Sequence, residues 1–314
     1  MSATHRLPDW VVCPSCQGEL KQAASLQDAR EIACGRCPAS FPVEAGIPIL
    51  LDARERQEAA SHAETDSSPG YHQARHGAPS NIQYYDFWCQ DMLRRLPGRR
   101  YTRVVELMAG GAELSRRARD LPRPIVAIDT NLDLLRWSRD ELWPDTVPVC
   151  ATAERLPFRD GAIDLVMIQG GLHHVRRRVA RVLGEIARCM APAGVLLASE
   201  PRNDSLLNRA FRRAFYRLHP IPDAEEEDGF TEDELRSLLR DAGLELRQCD
   251  PFAYVGYMLI GNTDLIPLFS RMKANWLSSL LIGIDRRWAS VPLGRELGWA
   301  SQVLAEKPST AADA

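Results

Sequence analysis

The sequence predicts an α/β fold with a mostly parallel sheet and a small cysteine-rich domain in front of it. Two observations support this prediction. Short apolar runs alternate with amphipathic helical patterns from about residue 100 to residue 200, as in βαβ units. Two CxxC pairs lie within the first forty residues, and a polar stretch separates them from the rest of the chain.

Five apolar runs are the predicted parallel strands, at residues 103–107, 124–129, 147–151, 162–169 and 194–200. Helical patterns follow three of them, at residues 112–121, 132–142 and 179–190. Parallel strands need such crossovers, because the chain must return to the same end of the sheet before each new strand. Ligands bind at the carboxyl ends of these strands, so candidate site residues are sought there.

Composition limits the classes of function. The chain has 314 residues, 45% hydrophobic and 26% charged residues, and a formal net charge of −3, which argues against binding nucleic acid or anionic membrane over its whole surface. The start has no apolar signal region, and no apolar run reaches the length of a membrane span. We therefore expect a cytoplasmic protein whose eight cysteines stay reduced.

The pairs Cys13–Cys16 and Cys34–Cys37 have the spacing of a zinc site. Four thiolates complete a tetrahedral shell and leave no position for a catalytic water, so the predicted Zn²⁺ is structural. A redox CxxC motif is the alternative, but it would lie in a thioredoxin-like βαβ unit, and no such pattern surrounds these residues.

The cysteines lie in the segments CPSCQGEL and IACGRCPASFPVEAGIPILL, which together resemble the Trm112-like zinc ribbon over about residues 11–52. In that family the ribbon activates and stabilises partner methyltransferases or is fused to one. The resemblance therefore implies a methyltransferase in the rest of the chain.

Four later segments occur in the order typical of one family: VVELMAGGAELSRRA, VAIDTNLDLLRWSR, ATAERLPFRDGAIDLVMIQGGLHHV and LGEIARCMAPAGVLLASEP. They resemble the class I methyltransferases of the small-molecule type, which use S-adenosylmethionine (SAM). The resemblance implies a Rossmann-like sheet in which the last strand is antiparallel, and GWASQVLAEKP at residues 298–308 resembles that strand.

The resemblance also implies cofactor contacts. Ala109, Gly110 and Gly111 form the loop after the first strand, where small residues let backbone amides approach a ligand. Asp129, with Thr130 beside it, ends the second strand, where a carboxylate can accept hydrogen bonds from two ribose hydroxyls.

Further positions match the family in the same way. Glu106 is expected to hold the methionine end of SAM, and Gln169 is expected to lie under the sulfonium. The turn Thr152, Ala153 and Glu154 matches the turn that contacts adenine.

Tyr85 lies on a predicted helix, NIQYYDFWCQDML, where similar enzymes place a lid over the cofactor. The alternative is a helix that packs on the sheet through Tyr85, Trp88 and Met92.

The sequence departs from the family pattern at several positions. Met108 and Ala112 replace the first and third glycines of the loop, Thr152 replaces an aspartate, and Pro-Ala-Gly at 192–194 replaces Pro-Gly-Gly. Met108 is the most consequential, because its side chain must fit where the family has none.

His173 and His174 are the candidate general bases, since imidazole titrates near neutrality and their loop faces the predicted cleft. The alternative is that one of them only holds the loop. Methyl transfer depends largely on positioning and desolvation, so a base is not obligatory. His219 and Tyr216 are weaker candidates.

The predicted organisation is a ribbon at 1–52, a linker at 53–80, a methyltransferase domain at 81–307 and a disordered tail at 308–314. Within the large domain, 201–230 is an insertion expected to bind the acceptor. The segment 254–288 is unusually apolar, so it can line an acceptor pocket, form a homodimer face, contact a membrane surface or be ordinary core. Thr231 is the predicted N-cap of a helix, with Glu234 at the capping-box position.

The leading functional hypothesis is methyl transfer from SAM to an oxygen, nitrogen or carbon atom of a small, apolar or aromatic acceptor, without nucleic acid. The altered loop leaves open a SAM-fold enzyme with non-methylating chemistry, or a silent subunit. A third reading is RNA methylation, with Arg176–Arg178 and Arg212–Arg213 as the RNA platform.

Overall fold

A seven-stranded sheet forms the centre of the protein. The computed structural model describes residues 6–21, 25–65, 78–142, 145–206, 208–210, 229–261, 276–291, 294 and 296–309. Three short strands precede the sheet: β1 (Glu31–Ala33), β2 (Ser40–Glu44) and β3 (Ile47–Pro48). The sheet contains β4 (Val104–Leu107), β5 (Ile125–Asp129), β6 (Thr146–Cys150), β7 (Ile163–Gln169), β8 (Met190–Pro201), β9 (Glu245–Phe252) and β10 (Ala300–Glu306).

The strand order in the sheet is β6-β5-β4-β7-β8-β10-β9. Strand β4 pairs in parallel with β5 on one side and with β7 on the other, and β10 is antiparallel to both β8 and β9. The predicted parallel sheet with an antiparallel last strand is therefore confirmed. The order reverses at β4, which places the crevice between the carboxyl ends of β4, β5 and β7.

In the described residues the α-helices are α1 (Ala53–Thr65), α2 (Pro79–Leu93), α3 (Glu113–Arg117), α4 (Leu132–Leu142), α5 (Val179–Cys189), α6 (Glu232–Asp241) and α7 (Trp276–Trp288). A 3-10 helix spans Leu172–Arg178, and a π-helical turn spans Tyr257–Gly261. Helix α3 is shorter than predicted, because Ala118 leaves the helical region at φ −80° and ψ 55°. The predicted cap of α6 is confirmed: the Thr231 side chain accepts a hydrogen bond from the Glu234 backbone N–H at 3.2 Å.

Two apolar layers cover the sheet, one on each face. Val105 of β4 packs in a layer that includes Ile186 of α5 and Leu235 of α6. Val104 points the other way and packs in a layer with Trp88 of α2 and Leu281 of α7. The alternation along β4 follows from the two-residue period of a strand.

The cysteine-rich segment packs directly on the large domain. Trp10 lies against Phe158 with ring centroids 5.3 Å apart, and the Val12 N–H donates to the Pro157 carbonyl at 2.8 Å. The Leu50 N–H donates to the Cys150 carbonyl at 2.7 Å, which adds residues next to β3 to the edge of β6. Residues of both segments share one apolar layer.

Several predicted segments lie partly outside the described residues: the linker from 66 to 77, the insertion from 211 to 228, the apolar segment from 262 to 275 and the tail from 310 to 314. His219, Tyr216 and Arg212–Arg213 fall there as well. The linker begins as helix α1. In the described part of the apolar segment, Tyr254 and Ile260 are buried, while Trp276 is 76% exposed. None of the helices in the described ranges combines the length and apolar character needed to cross a bilayer.

Candidate functional site

The four predicted zinc ligands converge at one point. All four sulfur atoms lie within 4.8 Å of one another, with 3.8 Å between Cys13 and Cys37 and 3.5 Å between Cys16 and Cys34. Zinc–sulfur bonds of about 2.3 Å in a tetrahedron place the sulfurs about 3.8 Å apart. The cluster therefore has the donor type and the size that a tetrahedral Zn²⁺ requires.

The surroundings act differently on the thiols of the cluster: burial raises the pKa of Cys13, whereas the pKa of Cys34 is lowered. Burial raises the pKa of the Cys34 thiol, but hydrogen bonds from the Arg36 and Cys37 N–H groups outweigh this effect and bring that pKa to about 6. A Cβ atom at Gly18 would lie 2.6 Å from the Arg36 Cβ and 3.1 Å from the sulfurs of Cys16 and Cys34. Glycine at position 18 thus leaves room for the cluster to close.

The loop after β4 contains three residues with positive φ. Met108, Gly110 and Ala112 have φ values of 51°, 47° and 54°. A left-handed conformation costs a residue with a side chain about 1–2 kcal/mol, so Met108 and Ala112 are strained there. Only one of the three left-handed positions is glycine.

The structure shows where the Met108 side chain fits. It packs against Gly171 and the apolar layer behind it: a Cβ atom added to Gly171 would lie 2.7 Å from the Met108 Cβ. Gly171 follows Gln169, the last residue of β7, by two positions. Met108 therefore bridges the carboxyl ends of β4 and β7.

The Asp129 carboxylate, at the end of β5, connects the loop after β4 to the residues that follow β5. One oxygen accepts from the Gly110 N–H at 2.7 Å and the other from the Asn131 N–H at 2.8 Å. Each carboxylate oxygen can accept a further hydrogen bond. Asp129 and Thr130 thus lie beside the loop of Ala109, Gly110 and Gly111.

The Glu106 carboxylate points to the helix behind the loop. One of its oxygens accepts from the Leu114 N–H at 3.0 Å and the other from the Ser115 N–H at 2.7 Å. The residue is 1% exposed, and burial raises its pKa to about 7. Glu106 therefore caps α3, which fixes the far end of the loop.

The predicted adenine turn begins next to Asp129. The Ala151 N–H donates to the Asp129 carbonyl at 3.0 Å, and the Thr152 hydroxyl accepts from the Glu154 N–H at 3.2 Å. Ala153, between Thr152 and Glu154 in the sequence, is buried. The Glu154 carboxylate pairs with Arg178 at 2.7 Å.

Arg155 follows this turn and contacts residues of the cysteine-rich segment and of α1. The Arg155 guanidinium donates to Glu55 at 2.5 Å and to Asp52 at 3.1 Å, and it reaches the Ser15 hydroxyl at 3.4 Å. Together with the Val12 and Leu50 backbone bonds, these contacts hold both ends of the segment 151–158.

At the end of β7, the side-chain oxygen Oε1 of Gln169 accepts a hydrogen bond from the Cys89 thiol of α2 at 3.2 Å. The Gln169 amide nitrogen is buried and has no hydrogen-bond partner among the described residues. Such a donor is available to a ligand in the crevice. Tyr85 precedes Cys89 by one helical turn and stacks on Trp88, with ring centroids 5.8 Å apart.

The two candidate histidines differ in their surroundings. The His173 Nδ1 lies 2.9 Å from the Glu200 carboxylate, whose residue is 1% exposed. His174 is exposed, and its ring stacks on that of His173 with centroids 4.0 Å apart.

Sequence reasoning did not identify Glu200, Cys89 or Arg155. One feature of the sequence could have identified Glu200: it is an ionisable residue at the end of the apolar run GVLLASE. Cys89 contacts Gln169, and Arg155 contacts Asp52 and Glu55, across long stretches of sequence, so no local pattern marks these two residues.

The contact of Met108 with Gly171 predicts a coupled pair of substitutions. Gly171→Ala should lower the free energy of unfolding by about 1–3 kcal/mol, because the new methyl group overpacks against Met108. In a Met108→Gly background the same change should cost less than about 1 kcal/mol, measured by urea denaturation. Gly98→Ala, which meets no atom within 4 Å, is the control. An equal cost in both backgrounds would show that Met108 does not occupy this space.

The Glu106 carboxyl predicts a pH dependence of stability. Its pKa of about 7 lies above the ordinary value of 4.5, so the folded protein binds this proton more tightly than the unfolded chain. The stabilisation that results is fully present below about pH 4.5 and is lost as the pH rises to about 7. The free energy of unfolding falls by about 3 kcal/mol over this range. Glu106→Gln should remove that part of the slope when unfolding is measured across this range. An unchanged slope would mean that the Glu106 pKa is not raised by burial.

Comparison with known proteins agrees with this geometry. The sequence profile of the family described as Methyltransferase domain matches residues 105–198. A ubiquinone/menaquinone biosynthesis C-methyltransferase from Pseudomonas paraeruginosa is 32% identical over 129 residues, 38% of this chain and 50% of that protein. An uncharacterized methyltransferase from Mycobacterium bovis is 35% identical over 94 residues, 30% of this chain and 37% of that protein. The chain thus spans half or less of the length of these relatives.

Solved structures show the same fold. A chain from the complex of the Haloferax volcanii Trm112 methyltransferase activator aligns with a TM-score of 0.52 at 19% identity, over 82% of this chain and 99% of its own length. A SAM-dependent methyltransferase from Archaeoglobus fulgidus aligns with a TM-score of 0.50 at 16% identity, over 72% of this chain and 94% of its own. The matched profile and the sheet order together show a methyltransferase domain over residues 105–198.

Proposed function

We propose that the protein binds SAM in the crevice between β4, β5 and β7 and transfers its methyl group to a small-molecule acceptor. The observation that carries this proposal is the loop at 108–112, which keeps three left-handed positions beside the Asp129 carboxylate. In this geometry the backbone can approach a ligand although two of the family glycines are replaced. The site therefore fits the cofactor that the family uses.

Each predicted contact has a proposed role. Asp129, with Thr130, accepts the ribose hydroxyls, and the loop of Ala109, Gly110 and Gly111 faces the methionine part. The Gln169 amide, which lacks a partner within the described part of the chain, donates to the cofactor. We assign Glu106 an indirect role, because its carboxylate is occupied by the first turn of α3.

Two further groups of residues enclose the cofactor in this proposal. Thr152 and Ala153 contact the adenine, while Glu154 holds the turn through its ion pair with Arg178. Tyr85 covers the site from α2. SAM supplies a methyl group on a positively charged sulfur, so the protein's residues need only orient the acceptor, exclude water and accept a proton.

We further propose that Cys13, Cys16, Cys34 and Cys37 hold a structural Zn²⁺ in a Trm112-like ribbon. The donor set and the sulfur spacing support this assignment. The Haloferax volcanii chain comes from a complex with a Trm112 activator, which agrees with a ribbon fused to a methyltransferase domain here. The free thiols agree with a cytoplasmic location.

The acceptor in this proposal is a small apolar or aromatic metabolite. Its support is the resemblance to an enzyme named as a C-methyltransferase of quinone biosynthesis. An RNA platform is less favoured, because Arg176 pairs with Glu234 at 2.6 Å and Arg178 pairs with Glu154. Exposed Trp276 and Leu280 on α7 leave a homodimer face as part of the proposal.

The first experiment is calorimetric titration of S-adenosylhomocysteine into the zinc-loaded protein. We expect micromolar binding, which Asp129→Ala should weaken at least tenfold, since a charged hydrogen bond contributes about 1.5–3 kcal/mol. Asp133→Ala is the control, because Asp133 is 61% exposed on α4. If the folded protein does not bind, the proposed methyl transfer is wrong and the silent-subunit hypothesis replaces it.

A second experiment removes one metal ligand. Cys34→Ser should lose the bound zinc, lower the melting temperature and weaken S-adenosylhomocysteine binding, because the ribbon holds the segment 151–158 that contains the adenine turn. Cys249→Ser, a half-buried cysteine outside the cluster, is the control and should retain one zinc per chain. Zinc-free wild-type protein with unchanged stability would argue against the structural metal.

A further inference from the structure

The buried carboxylate of Glu200 organises the loop that carries the candidate bases. One of its oxygens accepts from the Gly171 N–H at 3.0 Å and the Leu172 N–H at 2.8 Å. The other accepts from the His173 N–H at 3.2 Å and lies 2.9 Å from the His173 Nδ1. The carboxylate therefore accepts three backbone hydrogen bonds and also contacts the imidazole of His173.

The chemistry of this contact fixes the form of the imidazole. An ionised carboxylate only accepts hydrogen bonds, so the neutral His173 ring must carry its proton on Nδ1. Its Nε2 then has a free electron pair. The arrangement is the one in which a buried acid orients a histidine base.

The position of the ring agrees with this role. His173 follows Gln169 and Gly170 at the carboxyl end of β7, and the position of a Cβ atom on Gly170 is 3.8 Å from the His173 Cε1. The Cε1 edge, next to Nε2, therefore lies beside the end of the strand. His173 has 12% of its side chain exposed, whereas His174 is open to solvent.

We propose that Glu200 is a positioning residue that holds His173, and not His174, as the general base of the methyl transfer. This inference rests on the proposed function. The acceptor's reacting atom forms a bond to the methyl carbon while the carbon–sulfur bond breaks and its electron pair moves to sulfur. The acceptor's proton goes to the His173 Nε2, and the Glu200 carboxylate balances the charge of the imidazolium. Such a base serves an acceptor that must lose a proton, such as a phenol, an enol or an acidic C–H group.

The test is the protonation state of the ring nitrogens, measured by long-range ¹H–¹⁵N NMR on histidine-labelled, zinc-loaded protein at alkaline pH. His173→Gln identifies the signals. In wild type we expect the Nδ1–H form of His173 to exceed the Nε2–H form at least tenfold, as a charged hydrogen bond implies. Glu200→Gln should reduce that ratio to below about threefold. Glu185→Gln, which removes another carboxylate that accepts a backbone N–H, should leave it unchanged.

Two results would overturn the proposal: an Nε2–H form in wild type, or an unchanged ratio in Glu200→Gln. If Glu200→Gln does not fold, the wild-type spectrum still decides, because an Nε2–H ring cannot act as the proposed base. Calorimetry with S-adenosylhomocysteine on the same samples separates the two proposals. Binding together with an Nε2–H ring rejects only the base, whereas absent binding rejects the proposed methyl transfer whatever the ring shows.

Discussion

The parallel pairing of β4 with a strand on each side is the constraint on which the candidate site depends. Because β5, β4 and β7 run in the same direction, their carboxyl ends open on one edge of the sheet. The residues that follow these strands are far apart in sequence and adjacent in space. Asp129 contacts Gly110, and Met108 contacts Gly171, only because the strand order reverses at β4.

The loop after β4 places two residues with side chains, Met108 and Ala112, in the left-handed region. The φ values at 108, 110 and 112 remain positive, so the backbone follows the course that glycine normally permits. The Met108 side chain packs on Gly171, and the Glu106 carboxylate caps the helix beyond the loop. Burial of these contacts holds a strained backbone that an isolated segment would not adopt.

The cysteine-rich segment belongs to the same apolar layer as the sheet, so its folding is coupled to that of the large domain. Trp10 covers Phe158, and the Leu50 N–H extends the edge of β6. Arg155, which follows the turn of Thr152, Ala153 and Glu154, pairs with Glu55 of α1. The contacts of the cysteine-rich segment therefore hold the segment 151–158 at the edge of the sheet.

The sequence by itself determined the sheet, the cysteine cluster and the positions of Asp129 and Gln169 at strand ends, because periodicity, CxxC spacing and motif order are local patterns. The tertiary structure decided the rest. It directed Glu106 to a helix N-terminus, placed Met108 against Gly171, and brought Glu200 to His173 across 27 positions. Such contacts form between segments that only the folded sheet brings together, and their geometry depends on packing that one-dimensional patterns do not encode.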